Sequence, residues 1–144
     1  RFLKSNIKNQ KKKASLYILG NPWVQNGVVD FENYVLTLKK ILKKYKNLKT
    51  FYLPHPKETD EILKKYSFLN IIKPNYPIEI FLITKAIIPG HIVGFNSTSF
   101  ILIKKFYENK IKLININIKT KRSLFFNKIS QYLMKNHKIR SIRF

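Results

Sequence analysis

The chain has 144 residues, a formal net charge of +22 and no cysteine, with 44% hydrophobic and 14% aromatic residues. This length suits one domain with a hydrophobic core, and the apolar content excludes a disordered chain despite the charge. The composition also excludes disulfides and thiolate metal sites, and no apolar run reaches the roughly 18 residues that span a bilayer.

The first elements along the chain are a polar start, a strand and a helix. Residues 1–14 are polar and end in a run of lysines, which indicates a flexible basic lead-in or a linker remnant. We therefore expect the folded domain to span residues 15–144. The apolar run 15–19 stops at Gly-Asn-Pro and predicts a buried strand, and the helical spacing of apolar residues over 30–45 predicts a helix.

The middle of the chain continues this alternation. Residues 50–53 predict a second strand that a Pro-His-Pro sequence interrupts, and residues 57–66 predict a short helix with acidic residues in its early turns. Residues 70–72 predict another short strand. Apolar residues at helical spacing then predict a helix over 78–86, followed by a strand over 91–94.

The last third predicts a helix over 100–107, a strand over 111–118 and a closing helix over 123–135. Strands that alternate with helices indicate βαβ units, so we expect an α/β fold with a Rossmann-like parallel sheet and flanking helices. Ligands of such sheets bind beyond the carboxyl ends of the strands. We expect the strand-end loops 20–27, 54–58 and 96–99 to face one crevice.

His55 is the first candidate for chemistry in this crevice. A proline on each side restricts the backbone and so fixes the direction of the imidazole, which would suit hydrogen bonding or proton donation to a phosphate oxygen. The alternative is an ordinary proline-rich turn with a solvent-facing histidine. Pro54, Pro56 and Lys57 would shape the same turn in either case.

A cluster of hydroxyls follows the strand at 91–94. Ser97, Thr98 and Ser99 lie at a strand-to-helix turn, where backbone N–H groups and the helix dipole favour an anion such as phosphate. The alternative is simple helix capping by the same side chains.

Three acidic residues lie near these loops. Glu79 opens the helix at 78–86 and would accept hydrogen bonds from ribose hydroxyls, or it only complements the helix dipole. Asp30 and Glu32 are nearest the first loop, where a general base could stand, and the alternative is that they only cap the following helix.

Four short segments, taken in order, resemble the bacterial sialyltransferases of glycosyltransferase family 52 and their polysialyltransferase relatives. These segments are YILGNP at 17–22, YLPHPKE at 52–58, PIE at 77–79 and GFNSTS at 94–99. The resemblance covers residues 15 to about 118. It implies that this α/β domain is the CMP-binding C-terminal half of a GT-B glycosyltransferase.

The resemblance also implies a role for each matching residue. His55 would contact the CMP phosphate and serve as general acid, and Asp30 is the nearest carboxylate for the general base, since the loop 24–27 holds amides where relatives carry acids. The base would otherwise come from upstream sequence, or the domain would be inactive alone. The implied substrate-binding residues are Gly20, Asn21, Pro22, Pro56, Lys57, Glu79, Asn96, Ser97, Thr98 and Ser99.

The implied reaction is inverting transfer of sialic acid from CMP-sialic acid to a lipooligosaccharide or capsular glycan acceptor, without a metal or other cofactor. We expect a cytoplasmic bacterial enzyme. Two further partners are compatible with the sequence: the anionic surface of the inner membrane and a second copy of the chain in a homodimer. The charge of 29 basic against 7 acidic residues raises an alternative, a basic nucleic-acid-binding domain. Nucleic acid is the less favoured partner because arginine is scarce and no nucleic-acid-binding motif is present.

Overall fold

Five parallel strands form one sheet in the computed structural model, which describes residues 7–120 and 123–144. Their order across the sheet is β2-β1-β3-β4-β5. The strands are β1 (Lys11–Leu19), β2 (Lys49–Leu53), β3 (Ile87–Gly94), β4 (Lys112–Ile116) and β5 (Arg140–Ile142). The helices are α1 (Phe31–Lys44), α2 (Asp60–Lys64), α3 (Ile78–Ile83), α4 (Ser99–Tyr107) and α5 (Ser123–His137). The predicted α/β class with a parallel, Rossmann-like sheet is confirmed.

Apolar side chains cover both faces of the sheet. Leu16 and Ile18 of β1 point to one face, where they join an apolar cluster with Leu38 of α1. Leu19 points to the other face and joins a cluster with Ile103 of α4 and with α3 and α5. Successive residues of a strand alternate between faces, so this pattern places α1 on one side of the sheet and α3, α4 and α5 on the other.

The helix α1 follows the periodicity predicted from the sequence. Tyr34, Leu38 and Ile41 are fully buried at a spacing of three and four residues, whereas Lys40 and Lys43 are exposed. Asp30 is the N-cap residue, and its extended backbone begins the helix.

The first strand begins earlier than predicted. Residues 11–14 were assigned to the lead-in, but they belong to β1, where Lys11 pairs with Ile87 of β3. The lysine side chains there are exposed while the backbone pairs, so the polar composition concealed the strand. Residues 1–6 lie outside the described residues.

The strand β3 also begins earlier than predicted, at Ile87 instead of residue 91. Pro89 and Gly90 would normally indicate a turn, but the strand passes through them with a register shift between Lys13 and Leu16 of β1. A Cβ atom on Gly90 would lie 3.1 Å from the carbonyl oxygen of Lys13, so the two backbones approach closely here.

The remaining elements differ mainly in length. The helices predicted over 57–66 and 78–86 shorten to α2 and α3, and the strand predicted over 70–72 contributes a single bridge between Tyr52 and Ile71. The helices α4 and α5 are confirmed, whereas β5 was not predicted. Among the residues that the structure describes, no helix is long and apolar enough to cross a membrane.

Candidate functional site

A cleft lies at the carboxyl ends of β1, β2 and β3. The strand β1 has β2 on one side and β3 on the other, so the chain leaves β1 and β3 in opposite directions across the sheet. In open parallel sheets, the crevice at such a reversal of strand order is where ligands bind. The topology therefore marks this edge of the sheet as the candidate site.

The cleft has a volume of about 310 Å³. It brings together residues from all three strand-end segments and from the start of α3, as the sequence predicted for one crevice. Its lining includes Leu19, Gly20, Leu53, Pro54, His55, Pro56, Tyr76, Pro77, Ile78, Glu79, Ser97 and Ser99. His55, Glu79, Ser97 and Ser99 are thus neighbours around one space, although they come from distant parts of the chain.

A backbone hydrogen bond sets the tautomer of His55. The N–H of Lys57 donates to Nδ1 of His55 over 3.1 Å, so a neutral imidazole carries its proton on Nε2. Burial, and secondarily the charge of Lys57, lower the pKa of His55 below its ordinary value. At neutral pH the side chain is therefore a neutral hydrogen-bond donor through Nε2.

Glu58 fixes the turn that carries His55, and the sequence did not single it out. Only 8% of Glu58 is exposed. Its Oε2 accepts a 2.6 Å hydrogen bond from the backbone N–H of His55, and its Oε1 accepts a 2.7 Å bond from the hydroxyl of Tyr52. Tyr34 extends this network, with its hydroxyl 3.1 Å from that of Tyr52.

The electrostatics of this network follow from its burial. Desolvation raises the pKa of Glu58 to about 7, although its two hydrogen bonds act in the opposite direction. Burial also raises the pKa of Tyr52 well above its ordinary value, so its hydroxyl stays protonated and donates a hydrogen bond to the carboxylate. The turn at His55 thus contains a carboxyl group that titrates near neutral pH.

Gly20 lets the turn after β1 close over this network. A Cβ atom at position 20 would lie 2.1 Å from Oε2 of Glu58 and 2.6 Å from the hydroxyl oxygen of Tyr52. Any larger residue would collide with the buried carboxylate. The glycine was predicted as a substrate contact, and the structure gives it this packing role at the edge of the cleft.

A second buried polar network holds the hydroxyl cluster after β3. Asn96 has a left-handed backbone with φ of 51°, and its N–H donates a 2.7 Å bond to Oδ1 of Asn115. The amide nitrogen of the fully buried Asn115 lies 2.9 Å from Oδ1 of Asn96 and 2.9 and 2.8 Å from the hydroxyls of Ser130 and Ser141, so three acceptors share its two N–H groups. The Ser130 hydroxyl also donates to Oδ1 of Asn96 at 2.8 Å. This network connects β4, α5 and β5 to the turn of Ser97.

The helix α4 starts directly after this turn. The backbone N–H of Phe100 donates to the carbonyl of Ser97 over 3.3 Å, and Thr98 occupies the N-cap position without a side-chain capping hydrogen bond. In the described structure the Thr98 hydroxyl therefore does not cap α4. Ser97 and Ser99 line the cleft, whereas Thr98 does not.

Several predicted site residues lie outside the lining of the cleft. Asn21 donates a 3.3 Å bond to the carbonyl of Phe95 and so ties the turn after β1 to the turn after β3. Asp30 is exposed at the start of α1. The cleft's lining likewise omits Pro22, Lys57, Asn96 and Thr98.

The amide of Gln25 in the first loop has a structural role. Gln25 donates through Nε2 to the carbonyl of Lys57, and its Oε1 accepts a 3.1 Å bond from the N–H of Thr59. The loop after β1 is thereby fastened to the turn that carries His55.

An apolar groove of about 340 Å³ lies on the other side of the Ser97 turn, between α4 and α5. Ile101 of α4 and Phe125, Ile129 and Tyr132 of α5 contribute to it, and Asn96, Ser97 and Thr98 close one end. The sequence did not predict this groove, because it depends on how two helices pack.

No metal centre is evident in residues 7–120 and 123–144, where no group of three or more histidine, cysteine, aspartate or glutamate side chains is placed to hold an ion. In comparisons with known proteins, no family model and no curated protein matches this chain.

Proposed function

We propose that the cleft binds the phosphate of a cytidine nucleotide and that the chain is the CMP-binding domain of an inverting sialyltransferase. One observation carries this proposal: His55, Glu79, Ser97 and Ser99 line a single cleft at the reversal of strand order. The motif resemblance assigns a nucleotide-binding role to the same four residues. The proposed acceptor is a lipooligosaccharide or a capsular glycan.

The cleft offers donors for the charge that develops on the leaving phosphate. In the transfer, the bond from the sialic acid anomeric carbon to the phosphate oxygen breaks, and the acceptor oxygen bonds to that carbon. Nε2–H of His55 and the hydroxyls of Ser97 and Ser99 would donate to the phosphate oxygens of the departing CMP. Glu79 would accept hydrogen bonds from the ribose.

The proton of the acceptor hydroxyl must pass to a base. Asp30 remains our candidate within the chain, although its exposed position outside the lining of the cleft requires substrate to extend toward α1. Otherwise the base comes from upstream sequence, and the domain then binds CMP without catalysing transfer alone.

A thermal shift titration with CMP tests the binding half of this proposal. We expect CMP to raise the melting temperature of the wild type, and cytidine without phosphate to raise it far less. His55→Ala and Ser97→Ala should abolish the shift, whereas His137→Ala and the exposed Ser67→Ala should keep it. A wild-type protein that CMP does not stabilise would contradict the proposal.

The charge of +22 keeps nucleic-acid binding as a second candidate function. It predicts that single-stranded RNA binds with an affinity that falls steeply with salt, and that His55→Ala leaves this affinity unchanged. Strong RNA binding without a CMP response would favour this alternative.

A further inference from the structure

The outer surface of α4 and α5 exposes large apolar side chains together with lysines. Leu124 is 81% exposed, Phe125 60% and Tyr132 51%, all on α5, and Leu102 of α4 is 46% exposed. Solvent-exposed aromatic residues grouped around an apolar groove are characteristic of surfaces that contact another molecule or a membrane. We call Leu102, Leu124, Phe125, Lys128, Tyr132 and Lys135 the α4–α5 face.

Helical spacing places these residues of α5 together. Leu124, Lys128 and Tyr132 follow one another at intervals of four, and Lys135 lies three residues beyond Tyr132, so all four share one side of the helix. The structure shows each of them exposed. The opposite side of the helix is the buried one, with Ser130 and Leu133 at 4% and 2% exposure.

The two helices that form this face carry four lysines and no aspartate or glutamate. These are Lys104 and Lys105 of α4 and Lys128 and Lys135 of α5, and the nearest acidic residue in sequence is Glu108, directly after α4. A protein partner with a neutral interface would gain little from this basic rim. An anionic lipid surface would attract it, while the aromatic and leucine side chains entered the headgroup and acyl boundary.

We propose that the α4–α5 face docks onto an anionic lipid bilayer. The lysine stems can lie along the apolar boundary with their ammonium groups among the phosphates, and Tyr132 presents an apolar ring with a polar hydroxyl at the same depth. The groove beside Phe125 would receive an acyl chain or the ring of a displaced side chain. This proposal is independent of what the cleft binds.

Vesicle flotation of the whole chain tests it. The wild type should float with vesicles that contain phosphatidylglycerol and stay in solution with pure phosphatidylcholine. Leu124→Ser combined with Phe125→Ser should abolish flotation. Lys128→Gln combined with Lys135→Gln should weaken the affinity by roughly 10- to 30-fold, since each lysine near an anionic surface contributes about a factor of three to five.

Matched controls lie on α1, on the other side of the sheet. Leu36→Ser changes a 52% exposed leucine, and Lys40→Gln combined with Lys43→Gln removes two exposed lysines, so both should float like the wild type. Equal losses in the α1 and α4–α5 variants would show attraction by overall charge and overturn the proposal. So would a wild-type dimer in sedimentation equilibrium that becomes monomeric in Leu124→Ser with Phe125→Ser, because the face would then be a protein interface.

Discussion

The hydroxyl of Tyr52 donates a 2.7 Å hydrogen bond to Oε1 of Glu58, and this bond joins the end of β2 to the turn that carries His55. The other carboxylate oxygen accepts from the backbone N–H of His55 at 2.6 Å. A single buried side chain therefore determines the position of the imidazole's backbone relative to the sheet.

Glu58→Gln should alter how stability depends on pH. The folded protein holds the Glu58 proton up to about pH 7, whereas an ordinary glutamate releases it near 4.5. The stabilisation from this proton is complete below about pH 4.5 and is lost as the pH rises to about 7, on the order of 1–3 kcal/mol. Denaturant unfolding from pH 4 upward should show this loss in the wild type and not in Glu58→Gln.

A suitable control for that series is Glu61→Gln, at an exposed position of α2. Its pH profile should parallel the wild type. If Glu58→Gln also parallels the wild type, Glu58 is not the titrating group.

Gly20→Ala should destabilise the domain by about 1–3 kcal/mol, because the new methyl group overlaps the carboxylate of Glu58. Chemical denaturation measures this loss. Adding Glu58→Ala removes the obstructing carboxylate, so a double-mutant cycle should give a favourable coupling energy. Strict additivity of the two changes would contradict the contact.

Asn115→Leu should cost about 2–4 kcal/mol, because it leaves the buried N–H of Asn96 without its acceptor and removes the amide that the hydroxyls of Ser130 and Ser141 accept from, although Ser130 still donates to Oδ1 of Asn96. Asn117→Leu is the control, since Asn117 is only half-buried and donates one hydrogen bond through its side chain, to Asn127. The Asn115 variant should also weaken CMP binding, since it releases the Ser97 turn. Normal CMP affinity in a folded Asn115→Leu protein would show that CMP binding does not depend on this hydrogen-bond network.

CMP affinity should depend on the protonation of His55. Burial lowers the pKa of the ligand-free imidazole, and a bound phosphate would raise it, so protons and CMP should bind cooperatively. The ratio of wild-type to His55→Gln affinity should therefore increase as the pH falls through the ordinary histidine range. Calorimetry in buffers of different ionisation enthalpy would detect the proton uptake, and a ratio that stays constant with pH would oppose this assignment.

Much of the fold was predictable because apolar periodicity determines it locally. The spacing of Leu38 and Leu42 indicated α1, and the apolar run before Gly20 indicated the core of β1. The short basic β5 has neither signal, since Arg140–Ile142 forms a strand only because β4 offers it a free edge. Lysines likewise concealed the start of β1.

The site was predictable as a set of strand-end loops, but the buried residues that hold these loops in place were not. His55 and Ser97 stand at recognisable strand ends, whereas the burial of Glu58 depends on a turn near Gly20 that is distant in sequence. Asn115 lies in an alternating strand and becomes a buried network centre only because β5 and α5 cover it. Such residues depend on tertiary packing, which no local pattern encodes.

The strand order β2-β1-β3-β4-β5 also affects how fast the domain folds and unfolds. Parallel neighbours cannot be joined by a hairpin, and the segment between β1 and β3 contains α1, β2, α2 and α3. Because contacts between distant parts of a chain form slowly, we expect the walls of the cleft to meet late on the folding path. A ligand that contacts both walls of the cleft would therefore stabilise the domain mainly by slowing its unfolding, and would do little to accelerate refolding.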